Sequence, residues 1–274
     1  RSRLGALPTQ SYMNPPTLQL TRISLRVRDL ARSVDFYSRM LGFAICDQTA
    51  ATARLSAAPG ADPILALTAD ASLTPPAPDE AGLFHAALLL PDRASLGAWL
   101  RHAAEAGVKF QGFADHGVSE AIYFSDPDGN GLEFYIDRPP EHWPHAPDGE
   151  LAMVTDPMDL PSLLAAAPAA KSQPLAGARW GHLHLRVTHL ERSDRFYREA
   201  LGMQLMQGSF PGARFLAADG YHHHLGLNTW GRPARPANPR TTGLAMATFA
   251  CAGVAQPESM QDPDGIGFER VPLA

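Results

Sequence analysis

The feature that most constrains the fold of this chain is an internal repeat. RISLRVRDLARSVDFYSRMLGF (22–43) recurs as HLHLRVTHLERSDRFYREALGM (182–203), an offset of 160 residues. Across positions 22–68 and their partners, 17 of 47 residues are identical without a gap. Such self-similarity indicates that the chain consists of two related halves built from the same supersecondary units.

The repeat continues past residue 68, but its register changes. GLFHAALLL (82–90) matches GLAMATFAC (243–251) at an offset of 161, and DPDGNGLEFY (126–135) matches DPDGIGFERV (262–271) at an offset of 136. The second half therefore lacks 161 − 136 = 25 residues. The first half has PDRASLGAWLRHAAEAGV (91–108) there, whose apolar residues have helical spacing. We predict that the last unit lacks a helix and a strand.

The patterns within each unit predict a strand, a helix and three strands. Alternating ISLRV and HLHLRV are typical of half-buried strands, and the helices that follow end at glycine. This organisation predicts an N-terminal half over 1–140 with two units and a C-terminal half over 178–274 with one full and one shortened unit. A Pro-rich linker with a short helix at 159–166 is predicted over 141–177. The DPDG sequences predict tight turns rather than calcium loops.

Composition excludes several classes of protein. A formal net charge of −5 gives no basic surface for nucleic acid, and no run of 18 apolar residues is present to span a membrane. Cys46 and Cys251 are isolated in sequence, which excludes a cysteine-based zinc site and favours a reducing, cytoplasmic setting. The prolines near the N-terminus predict an extended arm.

The segment YHHHLGLNTW (221–230) contains three consecutive histidines. If it is extended, successive side chains point to opposite faces, so His222 and His224 share one face and His223 has the other. We expect His222 and His224 to lie at the surface or in a subunit contact.

LRVRDLARSVDFYSRMLGF, HGVSEAIYFSDPDGNGLEFYIDRP and GHLHLRVTHLERSDRFYREALG resemble the vicinal oxygen chelate (glyoxalase, bleomycin resistance and extradiol dioxygenase) superfamily. The similarity is greatest to its two-domain, catechol 2,3-dioxygenase-like branch and covers nearly the whole chain. It implies an α+β fold in which tandem βαβββ modules form two open, barrel-like halves, the last module being truncated.

The resemblance also implies a metal site. Extradiol members of the family bind Fe(II), or sometimes Mn(II), through two histidines and one carboxylate of the C-terminal half. In this sequence the first ligand is His182 and the carboxylate is Glu269, whereas the middle histidine position holds Met246. The family's acid–base histidine is His223, which either transfers protons or completes a His182–His223–Glu269 metal site. His184 is expected to be a neighbour in the cleft, and the family's site tyrosine is Ser259 here.

The first half offers its own set at the same positions. His85 and Glu133 stand where ligands are expected, but Arg22 occupies the position of His182. An arginine repels a cation, so we expect Arg22 to pair with Glu133 and the first half to bind no metal.

Three functions follow as alternatives. The first is a metal-dependent extradiol-type dioxygenase acting on a small catecholic substrate. The second is a small-molecule binding protein that has kept the cleft without a metal, and the third is a glyoxalase-like isomerase or lyase. In each case the expected partner is a small aromatic or vicinal-oxygen compound, and we expect a homo-oligomer.

Overall fold

The computed structural model describes residues 16–168 and 173–273, in which three βαβββ modules and a shortened fourth follow one another along the chain. The elements of the first module are β1 (Leu18–Val27), α1 (Leu30–Asp35) with a π-helical continuation (Phe36–Met40), β2 (Ala44–Gln48), β3 (Thr52–Ser56) and β4 (Leu65–Ala69). Those of the second are β5 (Gly82–Leu89), α2 (Arg93–Glu105), β6 (Phe110–Asp115), β7 (Ser119–Ser125) and β8 (Gly131–Asp137). The predicted N-terminal arm lies mostly outside the described residues.

The linker contributes a 3-10 turn (Pro140–His142), β9 (Asp156–Pro157) and α3 (Leu160–Ala166), which confirms the short predicted helix. The third module contains β10 (Arg179–Arg186), α4 (Leu190–Leu201), β11 (Gln204–Gln207), β12 (Ala213–Ala217) and β13 (Leu225–Asn228). The fourth contains β14 (Gly243–Cys251), β15 (Glu258–Gln261) and β16 (Gly267–Pro272). Between Gly243 and Leu273, all of it described, this module has no helix and one strand fewer than the second, as the repeat predicted.

The helices begin and end where the sequence supplies caps. The side chain of Asp29 accepts a hydrogen bond from the backbone of Arg32 at the start of α1, and that of Asp92 accepts one from Ser95 at the start of α2. Helix α4 ends at Gly202, which has a left-handed φ of 66°. These caps fix the starts of α1 and α2 and the end of α4.

Each sheet combines one module from each half of the chain. Seven strands pair in the order β15-β16-β14-β1-β4-β3-β2, and nine pair in the order β11-β12-β13-β10-β5-β8-β7-β6-β9. The first module thus joins the fourth through β1 and β14, and the second joins the third through β5 and β10. The α+β class and open tandem modules are confirmed, but the two sheets do not coincide with the two sequence halves.

Equivalent turns connect the modules within each half. The carboxylate of Asp126 accepts hydrogen bonds from the backbones of Asp128 and Asn130 and from the Tyr37 hydroxyl. Asp262 repeats this arrangement with the Tyr197 hydroxyl. Asp126 and Asp262 of the two DPDG sequences therefore stabilise tight turns. A large cluster of buried apolar side chains packs between the helices and both sheets.

Candidate metal centre and cleft

Three adjacent strands in the nine-stranded sheet bring two histidines and a glutamate together. His182 lies on β10, His85 on β5 and Glu133 on β8, and one nitrogen or oxygen of each lies within 4.8 Å of those of the others. Nε2 of His85 lies 2.9 Å and Nε2 of His182 lies 3.2 Å from the same oxygen, Oε2 of Glu133. All three side chains are buried.

Strand register explains this convergence. Ala87 of β5 lies opposite both His182 of β10 and Glu133 of β8. The small side chain of Ala87 therefore leaves space between the side chains of His182 and Glu133. The register between β10 and β5 shifts between Trp180 and His182. Such a bulge re-aims side chains within a strand.

Gly181 supplies the remaining space beside His182. A Cβ at this position would lie 1.8 Å from the hydroxyl oxygen of Tyr135, whose ring centroid is 4.9 Å from that of His182. Any larger residue at 181 would therefore displace Tyr135 or β10.

Electrostatics in the cluster favour an ionised carboxylate. Burial raises the pKa of Glu133, but the charges and hydrogen bonds of His182 and His85 outweigh burial and hold the pKa well below its ordinary value. Burial lowers the pKa of His182, and Glu133 partly opposes that shift. The centre thus combines an ionised Glu133 carboxylate with a His182 imidazole whose pKa is lowered towards the neutral form.

This donor set fits a divalent metal ion. Two imidazoles and one carboxylate form the facial set that Fe(II) oxygenases use, with coordination positions left for other ligands. Nδ1 of His182 is buried without a hydrogen-bond partner among the described residues, and the polar neighbour of Nε2 of His85 is the Glu133 carboxylate at 2.9 Å. His85, His182 and Glu133 are therefore the residues that would hold the ion.

A cavity of about 330 Å³ opens onto the cluster. One wall carries aromatic side chains, with the ring centroid of Trp230 5.4 Å from that of Phe84 and 5.3 Å from that of His184. The linker forms part of another wall through Met153, Val154 and Thr155. The cleft thus presents apolar rings around a small polar centre, and His184 is a cleft neighbour as predicted.

Two polar side chains of the cleft, Tyr123 and His116, were not assigned from sequence. Tyr123 lies opposite Glu133 across β7 and β8, and its hydroxyl is 2.7 Å from Nε2 of His116. Nδ1 of His116 lies 2.6 Å from the backbone oxygen of Val154, which ties the linker to the sheet. Burial and then the charge of Glu133 raise the pKa of Tyr123 well above its ordinary value, so its hydroxyl keeps its proton.

His223 lines this cleft beside His182. The two ring centroids are 4.1 Å apart. Burial first, and then the neighbouring His182 and His222, lower the pKa of His223 well below its ordinary value. A neutral imidazole in this position can accept a proton from a bound hydroxyl group.

The expectation of surface positions for His222 and His224 is wrong. Both are buried, with His222 completely inaccessible, and His222 hydrogen-bonds to Asp137 at 2.7 Å. The error came from extending strand periodicity through the whole segment. Strand β13 begins only at Leu225, so alternation does not govern the three histidines.

Glu269, predicted as a ligand with His182, lies in the other sheet on β16. Its Oε2 is 3.5 Å from Nη2 of Arg22 and 3.3 Å from the hydroxyl of Thr248. The correction also applies to Arg22, which pairs with Glu269 rather than with Glu133. Met246 lines a separate cleft of the seven-stranded sheet.

The two sheets contain equivalent positions with different chemistry. His182, His85, Glu133 and Tyr123 correspond through the repeat to Arg22, Met246, Glu269 and Ser259, and Glu269 lies opposite Thr248 as Glu133 lies opposite Ala87. The seven-stranded sheet therefore has the guanidinium of Arg22 and the thioether of Met246 at the positions where the nine-stranded sheet has the imidazoles of His182 and His85. Met246 and Ser259 both line the cleft of the seven-stranded sheet, whose described lining contains no histidine.

A sequence model of the Glyoxalase/Bleomycin resistance protein/Dioxygenase superfamily matches residues 19–134 and 179–256. The chain belongs to this superfamily. A curated relative, the catechol-2,3-dioxygenase of Bacillus subtilis (strain 168), is 40% identical over 225 residues, covering 80% of this chain and 78% of the relative.

Solved structures agree on the fold. A proposed dioxygenase from Bacillus subtilis subsp. subtilis strain 168 has a TM-score of 0.62 at 12% identity, covering 94% of this chain and 86% of that one. Maize glyoxalase I has a TM-score of 0.57 at 17% identity, covering 93% and 92%. Among the described residues, no helix has the length and apolar character needed to cross a membrane.

Proposed function

We propose that the protein is a metal-dependent, extradiol-type ring-cleaving dioxygenase that acts on a small catecholic substrate. The observation that carries this proposal is the convergence of His85, His182 and Glu133 in one buried cluster at the base of a cleft. The 40% identical catechol-2,3-dioxygenase supports it. Fe(II) or Mn(II) is the proposed ion because both accept imidazole and oxygen ligands.

When bound, such an ion supplies positions at which both hydroxyl oxygens of a diol and O2 can be held side by side. The protein residues then bind and orient the substrate. His223 is positioned beside the cluster to accept a proton from a diol hydroxyl, because burial keeps its ring neutral. Tyr123 keeps its hydroxyl proton and donates it to Nε2 of His116, because Nδ1 of that ring donates to the backbone oxygen of Val154; the Tyr123 oxygen can then accept a hydrogen bond from a substrate hydroxyl near Glu133.

The aromatic wall selects the substrate by shape and excludes water. Phe84, Trp230 and Phe215 surround the side of the cleft next to His184. Rings of this kind stack in offset or edge-on geometries with another aromatic ring. The cavity is larger than an unsubstituted catechol requires, so we expect ring substituents of apolar character to be accommodated.

The repeat provides a matched pair of variants for the test. Glu133→Gln changes the carboxylate of the proposed centre, and Glu269→Gln changes its equivalent in the other sheet. Each protein would be reconstituted anaerobically with Fe(II), freed of excess metal and assayed for bound iron and for the yellow ring-opened product of catechol.

We expect E133Q to lose iron and turnover together, and E269Q to retain both. Retention of iron by E133Q, or loss only in E269Q, would contradict the assignment of ligands. Stoichiometric iron in the wild-type protein without oxygen-dependent turnover of any catechol would instead favour isomerase or lyase chemistry. Absence of bound metal would favour a binding protein.

A further inference from the structure

A buried chain of hydrogen bonds leads from Asp137 to His223. Oδ1 of Asp137 lies 2.7 Å from Nε2 of His222, and Nδ1 of His222 lies 2.8 Å from Nδ1 of His223. The side chains of Asp137 and His222 are 2% and 0% exposed. This chain ends at the residue that faces the cleft beside His182.

Asp137 is held in place from the opposite side. The Tyr221 hydroxyl lies 3.1 and 3.0 Å from its two carboxylate oxygens, and the Tyr135 hydroxyl lies 2.7 Å from that of Tyr221. Both oxygens therefore already have polar partners, so the carboxylate remains acceptor-only towards His222. A fixed acceptor at Nε2 determines where His222 carries its proton.

The protons along the chain can be placed by donor and acceptor rules. Nε2 of His222 must donate, because it faces a carboxylate. In a neutral imidazole the other nitrogen is then an acceptor, so Nδ1 of His222 accepts and Nδ1 of His223 donates. His223 is left with an unprotonated Nε2.

The His222 ring is enclosed within the protein, next to the histidines of the cleft. The His222 ring is completely buried, and its centroid lies 4.7 Å from that of His223 and 6.3 Å from that of His182. The Asp137 charge is meanwhile shared with the Tyr221 hydroxyl.

We propose that Asp137 and His222 are positioning residues that fix His223 as the Nδ1–H tautomer and present its Nε2 to the cleft as a hydrogen-bond acceptor for a substrate hydroxyl. The catalytic part of this inference rests on the proposed function, whereas the tautomer is a property of the protein itself. A proton that moves from the hydroxyl oxygen to Nε2 leaves an imidazolium whose Nδ1–H still donates to His222.

The test is a two-bond 1H–15N correlation spectrum of the protein labelled with 15N-histidine and loaded with diamagnetic Zn2+. The resonances of His223 are identified by their loss in His223→Asn. We expect a protonated Nδ1 and a bare Nε2. An Nε2–H tautomer in the wild-type protein would overturn the proposal without reference to any variant or to activity.

Variants test the origin of the tautomer. His222→Leu removes the acceptor, and Asp137→Asn supplies an amide that can donate to Nε2 of His222, so both are expected to populate the Nε2–H form of His223. His224→Asn is the control, because His224 is buried in the same segment but contacts the backbone of Ala218, and it should leave the tautomer unchanged. An unchanged tautomer in both H222L and D137N would refute the role of the chain.

Kinetics then separate this inference from the proposed function. With Fe(II) loaded, H222L and D137N should retain iron and lose on the order of 100-fold in kcat with little change in KM, which is the scale of lost acid–base assistance. Unchanged kcat in both variants would contradict a positioning role in catalysis. The expected tautomer in a wild-type protein that turns over no catechol would support the hydrogen-bond chain and reject the ring-cleavage function.

Discussion

Replacement of Gly181 by alanine should disrupt the candidate metal centre through Tyr135. A Cβ at position 181 would lie 1.8 Å from Oη, 2.7 Å from Cζ and 3.1 Å from Cε1 of Tyr135. Tyr135 is fully buried, and its hydroxyl is 2.7 Å from that of Tyr221, so the ring cannot move without loss of that contact. The strand carrying His182 is the other element that can shift.

The magnitude follows from two contributions. Overpacking of a well-filled interior costs about 1–3 kcal/mol. A buried hydroxyl that loses its partner costs about 1–3 kcal/mol more. We therefore expect the free energy of unfolding of G181A to fall by about 2–6 kcal/mol, and its metal affinity to fall as well because His182 follows directly in the chain.

Urea unfolding and metal titration would measure both effects. Gly112→Ala is the control, since its added Cβ would lie 3.8 Å from Tyr123 in the same sheet, an ordinary contact. In the double variant with Tyr135→Phe, the atom at 1.8 Å is gone, and part of the loss of stability should be recovered. A G181A protein as stable as wild type, or strictly additive effects in the double variant, would refute this explanation.

Three further outcomes are expected. Burial lowers the pKa of His224 to about 3, so the neutral form contributes stability that is complete above pH 6.5 and is lost as the pH falls. In urea unfolding, the wild-type protein should therefore lose about 2 kcal/mol more than H224N between pH 7.5 and pH 5. Parallel pH profiles of the two proteins would contradict this. Tyr123→Phe should keep its iron but lose on the order of 100-fold in kcat on catechol, whereas Ser259→Ala, its repeat equivalent, should match wild type in the same assay. Trp230→Ala should raise KM for catechols with apolar substituents about 10-fold, because about 1.4 kcal/mol of apolar contact is lost. The KM for catechol itself should change much less. Equal changes in KM for both substrates would argue against a role of the aromatic wall in substrate selection.

The modules were predictable from sequence because their signals are local. The repeat, the glycine at the end of α4 and the helical spacing before Gly107 all depend on neighbouring residues, and the structure confirms the elements that they predicted. The missing helix of the last module followed from the same alignment. These features depend on residues within one module.

The pairing of modules was not predictable in the same way, because related modules offer similar strand edges. Pairing within the halves would group His182 with Met246 and Glu269, whereas pairing across them groups His182 with His85 and Glu133. Only the second grouping yields a full set of imidazole and carboxylate ligands. This difference in ligand chemistry was the signal in the sequence that could have identified the correct pairing of modules. The role of Asp137, four residues after Glu133, could be recognised only after the second and third modules were known to pair.

The sharing of strands between the halves also bears on how the chain can be cut. Strand β1 lies between β14 and β4, and β5 lies between β10 and β8, so each loses one neighbour when the C-terminal half is absent. Both would then present long rows of unpaired backbone donors and acceptors, the kind of edge that recruits other chains. A fragment ending in the linker is therefore expected to aggregate, and mixing it with the complementary fragment should restore soluble protein.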